Sequence, residues 1–186
     1  VSLFLLCAGM GQAVALAQGQ GWPRFWRRWR QVAGCALLVS LGSWFMFPRS
    51  FISFGVLHGM ALMLIVLRWA LPRLGQGALL GLALACLLLP ALVQHPFFDA
   101  RWTNWVGLVT HKPVTEDYVP LLPWLGPMLV GAALARWLLP RLGPARPSGP
   151  LRAGLALLGR WSLSYYMLHQ PVLIGGLMLW QATMRG

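Results

Sequence analysis

The sequence predicts an all-α fold, a polytopic transmembrane helical bundle with about six spans. Three observations carry that expectation. The chain is 58% hydrophobic and only 10% charged, against about 25% charged residues in an ordinary soluble domain. Apolar runs long enough to approach a bilayer thickness recur along its whole length. Its basic residues also alternate between connections. Arg24, Arg27, Arg28 and Arg30, then Arg68 and Arg73, then Arg136, Arg141, Arg146, Arg152 and Arg160 fall on one side of the expected bundle. Arg49, Arg101, Lys112 and Arg185 fall on the other. Short cytoplasmic loops carry the excess of arginine and lysine, so the Arg-rich connections are expected on the cytoplasmic side.

Segment one runs from about Val1 to Ala17. Its Ala15-Leu16-Ala17 ending resembles a signal-peptide cleavage site, but the arginines follow the apolar run instead of preceding it. A transmembrane helix is therefore expected, with its start, and further helices, before Val1. A tract from Gly19 to Gln31 interleaves Arg24, Arg27, Arg28 and Arg30 with Trp22, Trp26 and Trp29, the composition of a membrane-interface anchor. Segment two is expected over Val32 to Phe47, ended by Pro48, and segment three over Phe51 to Leu71, ended by Pro72. Within segment three, Gly55 and Gly59 have the small-xxx-small spacing that lets helices approach closely, and His58 lies on the same face. Segment four covers Gly77 to Gln94. A long loop, His95 to Pro120, holds all three acids, Asp99, Glu116 and Asp117. Segment five is expected over Leu121 to Leu139. A Pro/Gly/Arg-rich linker, Pro140 to Gly154, precedes segment six, which ends near Met184. No internal repeat stands out, and one membrane domain over residues 1–186 accounts for the length.

The net charge of +12 reads as loop arginine and not as a nucleic-acid footprint. Cys7, Cys35 and Cys86 lie in apolar segments, odd in number and without CxxC spacing, so neither a disulfide framework nor a zinc site is expected. HExxH, P-loop and GxGxxG patterns are missing, as is a Ser-His-Asp order, and three acids are too few to favour a two-carboxylate hydrolase.

What remains is histidine. His58 is expected about 7 residues into segment three, and His169 about 9 residues past Arg160, so at 1.5 Å per residue both lie roughly mid-membrane. Ser162, Tyr165, Tyr166 and His169 are spaced i, i+3, i+4, i+7, a polar stripe on one helix face. A stripe of that kind must face protein or a wet cavity. Pro171 frees the carbonyl one turn earlier, and Gln170 adds a polar group beside it. Asp117-Tyr118, just before segment five, reads either as a carboxylate that orients a histidine or binds a sugar hydroxyl, or as an acid on the helix dipole of segment five. His95 and His111 are read as loop histidines without a role.

Three motifs go further. They are Phe54-Gly55-x-Leu57-His58-x-x-Ala61-Leu62, Asp117-Tyr118-x-Pro120-Leu121-x-Pro123-Trp124-x-Gly126, and Gly159-x-x-Ser162-Leu163-x-x-Tyr166-x-Leu168-His169-Gln170-Pro171. In that order they resemble the bacterial membrane family related to the catalytic domain of heparan-α-glucosaminide N-acetyltransferase, within the transmembrane acyltransferase superfamily. The resemblance implies a bundle larger than six spans, with an upstream helix bearing Asp-x-x-Arg-Gly before Val1. It implies acetyl transfer across the membrane, from cytoplasmic acetyl-CoA to an amino sugar or other glycan, with no metal. On that footing His58 and His169 are the candidate catalytic residues. Asp117, Tyr118, Trp124, Ser162, Tyr166 and Gln170 are the candidate substrate-binding set. Arg27, Arg28, Arg30 and Arg160 are the candidates for the CoA phosphates. The partners expected are the lipid bilayer and the acceptor, with no nucleic acid and with homo-oligomers left open. The rival readings are a transporter or channel-like protein, against which the lack of paired repeats counts, and a non-catalytic membrane scaffold.

Overall fold

The computed structural model describes residues 1–142, 149, 154, 156–159 and 161–185, apart from some side chains of the last helix, those of Ser162, His169 and Gln170 among them. The described residues are helical, with turns and no strand. The chain divides into two compact units, Val1–Gly143 and Pro144–Gly186.

The first unit holds α1 (Ser2–Ala17), α2 (Trp22–Met46), α3 (Val56–Ala70), α4 (Gln76–Leu92) and α5 (Leu125–Leu138). Its core lies where α1 and α5 pack along each other. The approach is backbone to backbone: a Cβ on Gly9 would strike the Met128 carbonyl, and one on Gly131 the Leu6 carbonyl. Leu5, Met128, Leu129, Ala132 and Ala133 are buried there. On the other side of α5, Gly126 admits Leu87 of α4. The antiparallel pair α2 and α3 is joined by the Trp29 indole donating to the Ala61 carbonyl at 2.8 Å. The second unit contains α6 (Ser162–Arg185).

Helix boundaries depart from the sequence reading at three places. Segment two begins ten residues early, at Trp22 instead of Val32. The Arg/Trp tract thus forms nearly the first three turns of α2, not a connection. Trp22, Phe25, Trp26 and Trp29 recur at helical spacing and meet one another, Trp22 and Trp26 stacked at 6.0 Å and Trp26 and Trp29 edge to face at 5.3 Å, while Arg24, Arg27, Arg28 and Arg30 are exposed. Segment three begins at Val56, and segment five at Leu125. In both, the residues before the helix are spent on loop-to-loop hydrogen bonds described below.

Among the described residues no helix is long and apolar enough to cross a membrane. α1, α3, α4 and α5 run 16, 15, 17 and 14 residues, about 21–26 Å at 1.5 Å per residue, against a hydrocarbon core of about 30 Å. α2 is longer, at 25 residues, but its arginines dilute its first turns.

Candidate functional site

The polar groups of the first unit converge at the N-terminal end of α3. A helix start leaves backbone N–H groups without intrahelical partners. Gly55, the residue before α3, has no side chain with which to cap them. Two other residues do so. Asp117 Oδ2 accepts from the Val56 N–H at 2.6 Å, placing a negative charge at the positive end of the helix dipole. His58 Nδ1 faces the Gly55 N–H at 3.4 Å, the reach-back that a glutamate or glutamine makes from the same position of a capping box. Gly55 itself is required for space, since a Cβ there would collide with Asp117 Oδ2 and meet Ile52 Cγ2 at 2.8 Å.

Asp117 reaches α3 because its segment is laid along residues 50–54. Glu116 N–H donates to the Ser50 carbonyl at 3.1 Å and Val119 N–H to Phe54 at 3.4 Å. The Ser50 hydroxyl donates to Glu116 Oε1 at 2.6 Å, and the Thr115 hydroxyl to the Phe51 carbonyl at 3.0 Å. The strap then passes Gly59, where a Cβ would strike the Val119 carbonyl. Gly55 and Gly59 do allow a close approach, as their spacing predicts, but what approaches is the 115–119 strap and not another helix. Asp117 likewise caps α3, 61 residues away in sequence, and not the neighbouring α5.

His58 Nε2 lies 3.2 Å from the Ser40 hydroxyl on α2. That hydroxyl donates to the Ile52 carbonyl at 2.6 Å, and Ser43 Oγ accepts from the Ile52 N–H at 3.0 Å. Neither serine was singled out from the sequence. The signal was a pair spaced i, i+3 inside an apolar run.

Tyr118, half-buried, donates its hydroxyl to the Asn104 carbonyl at 2.6 Å. Burial, with the Asp99 charge adding to it, pushes the phenol pKa up to about 12. The Asn104 turn is tied to the strap again by Leu121 N–H to Trp105 O, 2.7 Å, and Leu122 N–H to Val106 O, 2.9 Å. Gly107, at φ +98°, makes room for the Leu122 carbonyl. Trp124 is the residue before α5, half-buried. Of the loop histidines, His111 lies 3.6 Å from Asp99 Oδ2. The Thr110 hydroxyl, foremost, holds the Asp99 carboxyl below its usual range.

At the far end of α3, Arg68 is 4% exposed. It donates to the Gln20 carbonyl through Nη2 and lies over the rings of Trp22 (5.1 Å) and Phe25 (5.6 Å). Its Nη1 is buried without a hydrogen-bond partner. Arg27, Arg28 and Arg30 project from the nearby start of α2, whose Trp22 meets Trp69 of α3 at 5.7 Å.

The structure therefore brings His58 and Asp117 to one helix end, with Tyr118 joined through the strap, and sets the α2 arginines at the other end, about 16 Å along α3. Ser162, Tyr166, His169 and Gln170 share one helix, α6, with Tyr166 exposed. The side chains of Ser162, His169 and Gln170, and all of Arg160, lie outside the described residues. Among the described residues no cluster of three or more metal-ligating side chains occurs.

The sequence profile of the family described as heparan-alpha-glucosaminide N-acetyltransferase, catalytic, matches residues 1–171. The match ends on Pro171, the last residue of the third motif. No curated protein and no solved structure gives a significant match. The chain belongs to that acetyltransferase family.

Proposed function

We propose that the chain is a membrane-embedded acetyltransferase that passes an acetyl group from cytoplasmic acetyl-CoA to an amino sugar or related glycan. The observation that carries the reading is the convergence of His58 and Asp117 on one helix end, each bonded to its backbone, in a chain whose family is acetyltransferase-like. An amine sheds a proton as it attacks a thioester, and a neutral imidazole takes one near pH 7. His58 and His169 are the candidate bases. The Asp117 carboxylate uses Oδ2 for the cap, and its Oδ1 suits an acceptor hydroxyl or ammonium. Tyr118 and Trp124 of the first unit, and Ser162, Tyr166 and Gln170 of the second, are proposed as acceptor-binding residues. Arg27, Arg28, Arg30 and Arg160 are proposed for the CoA phosphates, which guanidinium groups bind with paired hydrogen bonds.

Membrane insertion is supported by a mean hydropathy of +0.66 and by outward-facing leucines such as Leu80, Leu84 and Leu88 on α4 and Leu37, Leu38 and Leu41 on α2. The shorter helices would be extended at their ends by tryptophan and by snorkelling arginine. The proposed sidedness puts the start of α2 and the end of α3 at the cytoplasmic face of a bacterial inner membrane.

The test is acetyl transfer by the purified full-length protein in nanodiscs, with acetyl-CoA and glucosamine-terminated acceptors. Labelled acetyl is expected on the amine, with the Arg27→Glu/Arg28→Glu variant raising the KM for acetyl-CoA. If acetyl-CoA neither reacts nor shifts the thermal unfolding of the full-length protein at saturation, the reading is wrong.

A further inference from the structure

We infer that Ser40 is a positioning residue that fixes the tautomer of His58, so that Nδ1 and not Nε2 is the nitrogen able to take a proton. The inference rests on the acetyltransferase reading for its catalytic meaning, though not for its geometry. A serine hydroxyl has one hydrogen. At Ser40 that hydrogen goes to the Ile52 carbonyl, 2.6 Å away, because a carbonyl can only accept. Toward His58 Nε2, 3.2 Å away, the same oxygen can then only accept, so Nε2 carries the ring hydrogen. The opposite edge of the ring requires the same arrangement. Nδ1 faces the Gly55 N–H, which can only donate, so Nδ1 presents its lone pair. Ser43 secures the arrangement from one turn on. Its hydroxyl donates to the Ser40 carbonyl at 3.0 Å and accepts the Ile52 N–H at 3.0 Å. Ile52 is thus held by both its N–H and its C=O, and its carbonyl stays aimed at Ser40.

Second partners of this kind set which imidazole nitrogen is free to react. At 3.4 Å the Gly55 contact is the longest in the set and the one an incoming amine would displace. In the transfer, the amine nitrogen bonds to the acyl carbon and the carbon–sulfur bond of the thioester breaks. The amine proton moves to Nδ1, then to the departing thiolate. The imidazolium formed in between keeps its Nε2–H on Ser40 and lies beside the carboxylate of Asp117 at the same helix end.

The experiment is ring 15N NMR of the full-length protein labelled at histidine, with His58 assigned by its loss in H58Q, on wild type, S40A and S40T. Wild type and S40T are expected to show a pyrrole-type Nε2 and a pyridine-type Nδ1, and S40A a mixture of tautomers. In acetyl transfer, S40A is expected to lower kcat about fivefold to tenfold, the weight of one hydrogen bond, with KM unchanged and with recovery in S40T. A protonated Nδ1 in wild type, or identical ring signals in S40A and wild type, would overturn the inference. A protein inactive with every acceptor but showing the expected signals would sink the acetyltransferase reading and leave the Ser40 assignment standing.

Discussion

The two ends of α3 solve the same electrostatic problem in opposite ways. At its N-terminal end the helix dipole meets a carboxylate and an imidazole, and the polar side chains there are engaged with the backbone: Asp117 on Val56, His58 on Gly55, Ser40 and Ser43 on Ile52. At its C-terminal end the dipole meets a cation, as it should. Yet Arg68 is buried on aromatic faces, and among the described residues it has no carboxylate beside it and one terminal nitrogen unpaired. The first end is a matched hydrogen-bond network in which each member has a geometric reason for its place. The second is a charge tolerated because ring quadrupoles and one carbonyl partly replace water. The N-terminal end is thus held by matched polar pairs, while the C-terminal end ties α3 to the start of α2 and to the α1–α2 turn.

That contrast can be broken most sharply at Gly55. Gly55→Ala would push a methyl group into Asp117 Oδ2 and Ile52 at once, so a loss of about 2–3 kcal/mol is expected in denaturant unfolding, as for an overpacked core site. A loss within error would mean that the carboxylate does not sit where the cap requires it. Asp117→Ala should cost about 1–2 kcal/mol, the usual worth of an N-cap. Asp117→Asn, which keeps an acceptor, should recover roughly half, and an equal loss in both would show that charge alone matters. Tyr118 sharpens the picture on a pH axis. Its folded pKa is raised to about 12, above an unfolded value near 10, so the neutral phenol is the form the fold prefers. The stability it contributes is full below about pH 10 and drains away between about pH 10 and 12. Unfolding followed across that interval should show the slope in wild type and lose it in Tyr118→Phe. At the other end of α3 the smallest effect is expected. Arg68→Met removes a cation–π contact but also a buried, partly unsatisfied charge, so the change should stay within about 1 kcal/mol in either direction. A loss above 3 kcal/mol would mean that Arg68 has a stronger partner than the rings and Gln20.

Much of the helical order could be read from apolar runs alone, as the close agreement for α1 and α4 shows. The early start of α2 has a definite cause: dense arginine reads as a connection, but Trp22, Phe25, Trp26 and Trp29 recur at helical spacing and hold the tract in the helix. In the site, Gly55 and Gly59 announced a close contact, but their spacing cannot say whether a helix or a loop will fill it. The helix-dipole reading of Asp117 points to α5, because α5 is next in sequence. Its true partner lies 61 residues back, a distance over which local pattern carries no information. Ser40 and Ser43 passed as ordinary residues of an apolar run because their importance exists only once Ile52 lies across them.

The cap on α3 also has a bearing on the order of events as the chain emerges. Gly55 leaves the first turn of α3 with no cap of its own except the long reach of His58, and the carboxylate that completes it belongs to a residue synthesised 61 positions later. Until the 115–119 strap is made and laid down, the start of α3 is open to water and free to fray. The 115–119 strap therefore acts as a late clasp, and the His58 corner takes its final shape only when most of the first unit has been made.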